Sequence, residues 1–311
     1  MSSPQRDEPG IVSRMRQSAQ VSPRVSVIIA TYNWSSVLPY SIGSVLRQTM
    51  QDFEILVVGD GCVDDSEQVV AAIGDPRIRW FNLPANTRHQ SGPNNEGLRQ
   101  ARGEFIAYLG HDDLWMPHHL EALVKPLDAS DAGMVHSLVA IVEADGGDVV
   151  ATSRPAYGAW APPSCRMHRR SVTETVGGWR DHRELTVAPE VDLWLRARQA
   201  GIRSAFVPRL TAIKFPASLR RRVYETRPCN EQAAWSARIA SEPDLELTLL
   251  TQIVAGGSQA ARMPYRDLVQ QFIVETVRRA RRRFAQRPSV IASLRGKKGD
   301  GIAGVRRFKG L

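Results

Sequence analysis

The 311-residue sequence predicts an α/β fold: a mostly parallel central sheet flanked by helices, followed by a helical, basic C-terminal extension. Three observations carry this. Strand-like and helix-like runs alternate three times within the first hundred or so positions, the pattern of a parallel sheet with right-handed crossovers. The strand candidates are continuous apolar runs, as expected of strands buried on both faces. Polar residues collect just past the strand ends, where open α/β sheets bind ligands.

Taken in order, residues 1–24 read as a polar leader without the apolar core of a signal peptide. Val25 to Ala30 is the first buried strand, followed by Thr31-Tyr32-Asn33 and a helix from about Val37 to Arg47. Ser35 or Ser36 is its expected N-cap, and Pro39 fits the first turn. A second strand, Phe53 to Val58, ends in Gly59-Asp60-Gly61, and Asp64-Asp65 can cap the next helix. A third strand, about Ile78 to Asn82, enters the polar loop Pro84 to Pro93, and a helix is expected near Asn95 to Arg102. The fourth strand begins at Phe105 and runs into Gly110-His111-Asp112-Asp113-Leu114-Trp115. Two adjacent carboxylates beside a histidine suit a hard divalent cation, and equally suit a turn cap.

Beyond Pro117 the pattern predicts a helix to about Leu127 and a hairpin of Met134 to Val142 with Val149 to Thr152 around Asp145-Gly146-Gly147. Pro189 to Arg196 reads as a helix stopped at Gly201, with Glu190 and Asp192 in its first turn, where acids complement the helix dipole. Helices are expected at about Leu219 to Ile239, Leu245 to Val254 and Tyr265 to Phe284. The expected organisation is therefore a leader (1–24), an α/β domain (25–215), a helical region (216–285) and a basic tail (286–311).

Composition narrows the function. An apolar fraction of 42% with seven Trp is enough for a packed core. Three scattered cysteines, Cys62, Cys165 and Cys229, form no C-x-x-C pair, which excludes a zinc ribbon and favours a reducing, cytoplasmic setting. From Arg262 to Leu311 there are 14 basic and 3 acidic residues, which leaves 27 and 29 in the rest of the chain. The net charge of +9 thus belongs to the tail, and no specific nucleic-acid partner is expected of the main domain. The basic residues between 278 and 309 are either a solvated face or a peripheral contact with an anionic membrane, at its inner face for a cytoplasmic protein.

Val25 to Asn33, Glu54 to Gly61, Asn94-Asn95-Glu96-Gly97, Ala101 to Ile106 and Asp112 to Trp115 together resemble a family 2 glycosyltransferase of the GT-A (Rossmann-like) fold. The resemblance covers roughly residues 24–128 and weakens towards Gly201. It implies inverting transfer of a sugar from a nucleoside-diphosphate donor to a hydroxyl of a glycan or lipid-linked acceptor, with Mn or Mg as cofactor. Such transfer serves the synthesis of polysaccharide, glycolipid or other cell-surface glycan. By the same resemblance Thr31, Tyr32, Asn33, Asp60, Arg88, His89, Asn95 and His111 would surround the nucleotide. Asp112 and Asp113 would serve the metal, and Glu190 and Asp192 catalysis, with Glu190 as general base. Trp115 has a flat aromatic face that suits an acceptor sugar ring, and equally suits core packing. Gly110 and Gly59 stand where the family usually carries acids. Those departures keep open a second reading, a nucleotide- or sugar-binding domain that has lost catalysis.

Overall fold

The computed structural model describes residues 22–143, 149–151, 161–217 and 220–260. Nine strands form one sheet: β1 (Val25–Thr31), β2 (Phe53–Gly59), β3 (Ile78–Asn82), β4 (Phe105–Gly110), β5 (Leu114–Trp115), β6 (Met134–Val142), β7 (Val149–Ala151), β8 (Arg166–Arg169) and β9 (Ser204–Lys214). Their spatial order is β3-β2-β1-β4-β8-β6-β9-β5, with β7 on β6. β3, β2, β1 and β4 are parallel, as the alternation predicts. Beyond β4 the sheet turns mixed. β8 runs antiparallel to β4 and β6, β5 antiparallel to β9, and only β6 and β9 are parallel. "Mostly parallel" therefore describes the first half alone. The second half arises from short returns around residues 110–116 and 161–169, too brief for a crossover helix.

Alternation along β1 separates two cores. Val25, Val27 and Ile29 face one side with Ile42, Val45, Leu120 and Leu123. Those partners lie on α1 (Leu38–Leu46) and α4 (His119–Asp128). Ile28, Leu56, Ile106 and Tyr108 face the other side with Trp179 and Leu193. That side carries α3 (Ser91–Gln100) and α6 (Pro189–Gln199), while α2 (Ser66–Ala72) follows β2 and α5 (Arg170–Val176) follows β8.

Several boundaries differ from expectation. Neither serine caps α1: residues 35–37 form a 3-10 turn, and the Ser35 amide donates to Asp64 Oδ2 at 3.1 Å. Asp64 also accepts from Ser66 Oγ at 2.6 Å, so it organises the start of α2. α3 begins at Ser91, four residues early, because Pro93 falls in the first turn, where no amide donor is required. The helix expected from Leu219 to Ile239 is broken into α7 (Val223–Thr226) and α8 (Asn230–Ser241). Arg222 and Arg227 adopt left-handed φ values of 54° and 47°, and Pro228 disfavours a helical residue before it. α9 (Leu245–Ala260) completes the described chain. Leu245 and Leu249 of α9 and Trp235 of α8 pack against Leu114, Met116, Leu210 and Phe215, so these helices cover the β5–β9 end of the sheet. The hairpin turn at Asp145–Gly147, the helix expected at Tyr265–Phe284 and the basic tail lie outside the described residues.

Buried histidines couple this core to pH. Burial holds His119 down to about 3 and His168 down to about 4. In the unfolded chain both titrate near 6.5. The unfolded chain therefore binds protons that the fold refuses, so stability is full above about pH 6.5 and lost as pH falls towards about 4. Melting temperature should fall through that window, and the same profile for His119→Phe should be shallower.

Candidate active site

Strand register builds the site. Thr31 is opposite Gly59, Ala30 opposite Gly110, and Gly59 opposite Asn82, so the loops after β1, β2, β3 and β4 leave the sheet side by side. Hydrogen bonds then tie them together. His111 Nδ1 and Thr31 Oγ1 are 2.9 Å apart, and the Asp60 amide donates to the Thr31 carbonyl at 2.8 Å. Asn33 takes a left-handed φ of 44° and accepts the Val63 amide at 2.8 Å. Asp60 accepts from the Thr87 amide at 2.8 Å, Thr87 Oγ1 at 2.7 Å and the Arg88 amide at 3.1 Å. A buried carboxylate thus shapes the third loop, where Arg88 is exposed with φ 67°. Tyr32 is half-buried one residue past β1.

The acid pair divides its labour. Asp113 has no exposed surface. Its Oδ2 accepts from Lys214 Nζ at 3.0 Å and Ser164 Oγ at 2.5 Å, and its Oδ1 accepts from the Phe215 amide at 3.0 Å. Expected as a second metal ligand, it is instead a buried anchor with both oxygens engaged. Burial by itself would lower the Lys214 pKa; the charges of Asp113 and Asp112 more than offset this and hold the ammonium above its usual value. Burial, then the Asp113 charge, push the Asp112 carboxyl above the usual carboxylate range. Its backbone carbonyl accepts from Gln232 Nε2 at 3.1 Å, and among the described residues its carboxylate carries no set of donors comparable to that of Asp113. Burial lowers the His111 pKa despite both acids. Among the described residues no three His, Cys, Asp or Glu side chains form a metal cage. The donor set fits a cation held mainly by one carboxylate, Asp112, with its other positions filled by phosphate and water.

Packing explains the missing acids. A Cβ at Gly110 would sit 2.7 Å from Asp113 Oδ2, and one at Gly59 would sit 2.6 Å from Asn82 Oδ1. Asn82 fills that corner, donating to the Cys62 carbonyl and accepting its amide, each at 2.9 Å. An acid at either glycine would need its neighbours rebuilt.

Glu190 is half-buried at the start of α6, and Gln90 Nε2 of the third loop donates to its Oε2 at 3.4 Å. Its charge acts on both Lys214 and Arg166. Asp192 faces elsewhere. It pairs with Arg196 at 2.8 Å and Arg180 at 3.6 Å, and Arg196 in turn holds the Gly177 and Gly178 carbonyls. It therefore braces the turn before α6. Asn95 performs a related task, donating to the Trp179 carbonyl and accepting its amide, both at 2.8 Å. Trp115 has no exposed surface; its Nε1 donates to the Ser164 carbonyl at 2.6 Å and its ring stacks on His119. It is core, and presents nothing to an acceptor. His89 stacks on His182 with ring centroids 4.8 Å apart, joining the third loop to the approach to α6.

Residues with no sequence flag complete the site: Lys214, Ser164, Arg166, Gln90 and Tyr224. Tyr224 lies 6.0 Å from His111 and 5.5 Å from Trp34 by ring centroids; burial, then Asp112 and Asp113, raise its pKa. Lys214 was the findable one, a cation that closes the largely apolar run from Leu210 to Ile213.

The family model for glycosyl transferase family 2 matches residues 26–180. The chain is 30% identical over 192 residues to the putative glycosyltransferase EpsE of Bacillus subtilis, covering 58% of this chain and 69% of that one. The chain belongs to glycosyl transferase family 2. It is also 36% identical over 124 residues to the succinoglycan biosynthesis protein ExoO of Rhizobium meliloti, covering 40% of this chain and 35% of that one. The chain spans about half, or less, of the length of the first curated relatives it matches. Among solved structures, a mannosyltransferase of Pyrobaculum calidifontis in complex with GDP-Man and Mn2+ has a similar fold. It has a TM-score of 0.51 at 17% identity, covering 93% of this chain and 88% of that one. The GT-A architecture expected from the sequence is the one observed.

Because Asp113 stays buried whether or not its partner is present, Lys214→Met should destabilise the fold by about 3–5 kcal/mol. Urea unfolding at neutral pH measures it; a loss well under 1 kcal/mol would show that Ser164 and the Phe215 amide suffice.

Proposed function

We propose that this family 2 glycosyltransferase moves a sugar, with inversion, from a nucleoside-diphosphate donor to a hydroxyl of a glycan or lipid-linked acceptor. Asp112 holds the divalent cation, Mn or Mg, and Glu190 is the general base. The observation that carries the reading is positional: Gln90 of the third loop bonds Glu190, and His111, next to Asp112, bonds Thr31 of the first, so base and metal ligand border one cluster of loops. The resemblance assigns them those two roles.

A cation bound at Asp112 would supply Lewis-acid stabilisation of the departing diphosphate. The chain's own residues account for the rest. Thr31, Tyr32 and Asp60 line the donor side, Asp60 by fixing the Thr87–Arg88 turn beneath the nucleotide. Glu190 Oε2, oriented by Gln90, takes the proton of the attacking hydroxyl. Lys214 keeps Asp113 in place and so fixes the backbone that carries Asp112. One base and one displaced diphosphate are enough for inversion in a single step.

The similarity to ExoO, a succinoglycan biosynthesis protein, supports a place in cell-surface polysaccharide synthesis. No helix among the described residues is long and apolar enough to cross a membrane. A cytoplasmic enzyme whose residues 278–309 rest on anionic lipid fits the concentration of charge in the tail, at about 1 kcal/mol per basic side chain near the surface.

Glu190→Gln should lower kcat by about 100- to 10,000-fold while nucleotide still raises the melting temperature. Asp112→Asn should abolish the additional stabilisation by Mn. Should Glu190→Gln turn over like the parent, Glu190 is not the base; should the parent bind nucleotide and turn over no donor, the second reading gains, since Gly59 and Gly110 stand where the resemblance expects acids. Flotation with anionic vesicles tests the tail: binding at low salt, released at high salt, is expected, and none at low salt rules the contact out.

A further inference from the structure

Beneath Glu190 lies a cationic side chain that the reaction as described does not use. Arg166, on β8, is only 3% exposed. Its Nη1 donates to the Glu190 backbone carbonyl at 3.2 Å, and its guanidinium carbon lies 4.3 Å from the centre of the Trp194 ring, one turn further along α6. Its Nε and Nη2 are closed to solvent and have no acceptor among the described residues. Directly across the β6–β8 ladder is His136, whose Nδ1 is likewise buried without a partner among the described residues. A buried guanidinium with two unanswered donor nitrogens is costly, and proteins usually meet such donors with a carboxylate or phosphate.

The position gives the cluster a purpose. Two residues before Arg166, Ser164 Oγ bonds Asp113 and the Gly110 amide, so residues 164–166 run from the metal side of the site to the base side. An anion held on Arg166 would lie beside the Glu190 carbonyl, at the start of the helix that carries the proposed base. We propose that Arg166 and His136 form an oxyanion subsite for the acceptor, taking a carboxylate or phosphate carried near the hydroxyl that Glu190 activates. Guanidinium and oxyanion match in a planar fork, and neutral His136 adds one further hydrogen bond. Entry requires the first turn of α6 to lift, exchanging the bond to the Glu190 carbonyl for one to the incoming anion. The inference rests on the transferase reading for its geometry.

The test uses the full chain and separates the two. Melting temperature is measured with UDP and with GDP. It is then measured again, with whichever nucleotide stabilises, against inorganic phosphate, methyl glucuronide and neutral methyl glucoside. At about five times its Kd, an oxyanion should raise the melting temperature by about 2–4 °C, and methyl glucoside should not. Arg166→Met should remove the oxyanion shift. If that variant does not fold, Arg166→Lys, which keeps the charge but loses the fork, should weaken it, as should His136→Gln. A shift with phosphate alone assigns a phosphate-bearing acceptor, and one with glucuronide alone assigns an acidic sugar. No oxyanion shift in the parent, or an equal shift in the folded variants, overturns the subsite. Absence of any nucleotide shift counts against the transferase reading instead, and the anion titration is then read without nucleotide.

Discussion

The Asp113 carboxylate is the constraint on which the site depends. It is wholly buried, and its partners come from three separate places: Ser164 before β8, Lys214 at the end of β9, and the Phe215 amide beyond it. A buried carboxylate tolerates burial only when its charge is met and its lone pairs are filled, so these pieces are held together or not at all. Through this one side chain the segment after β4 is fixed to the mixed half of the sheet. Ser164 adds a second tie, since its hydroxyl accepts the Gly110 amide at 3.0 Å. The parallel and mixed halves of the sheet are thereby joined where their loops meet.

The same logic runs through the donor side. Asp60 and Asn33 lie on two different loops and Asn82 ends β3, and each bonds the backbone of a neighbouring loop. Polar groups that would cost several kcal/mol if buried alone become mutual supports. Their arrangement is set before any ligand arrives, which is what electrostatic preorganisation requires. The absence of acids at positions 59 and 110 belongs to this arrangement. Asn82 and Asp113 occupy the space an added side chain would need.

Much of this was legible in the sequence. The first four strands were readable because each is an unbroken apolar run, and the site loops because polar residues cluster directly after them. The first-turn position of Glu190 was readable from the acids that follow Pro189, and it is the one observed. What could not be read was direction. Sequence gives a residue's type and spacing, whereas burial and partner decide its task. Asp113 and Asp192 are as acidic as Asp112 and Glu190, yet they face Lys214 and Arg196 across gaps of 101 and 4 residues. Trp115 looked like a platform for a sugar and is core, because β5 pairs with β9 and turns it inward over His119. The mixed half of the sheet was hidden for a related reason. Strands of two to four residues, β5 and β8, carry too little pattern to be distinguished from loop.

Asp112 is the remaining acid, and its isolation has a chemical consequence. A cage of three or four carboxylates would bind a cation by itself and hold it whether or not donor was present. If Asp112 holds the cation as proposed, that cation would meet one carboxylate whose ionised form burial and Asp113 disfavour, and would bind weakly alone. A donor diphosphate would bring negative oxygens to the same point, so cation and diphosphate should each bind more tightly with the other than without it. On that reading metal and substrate are coupled: the Lewis acid would be in place when there is a leaving group for it to act on, and one side chain of the fold would be enough.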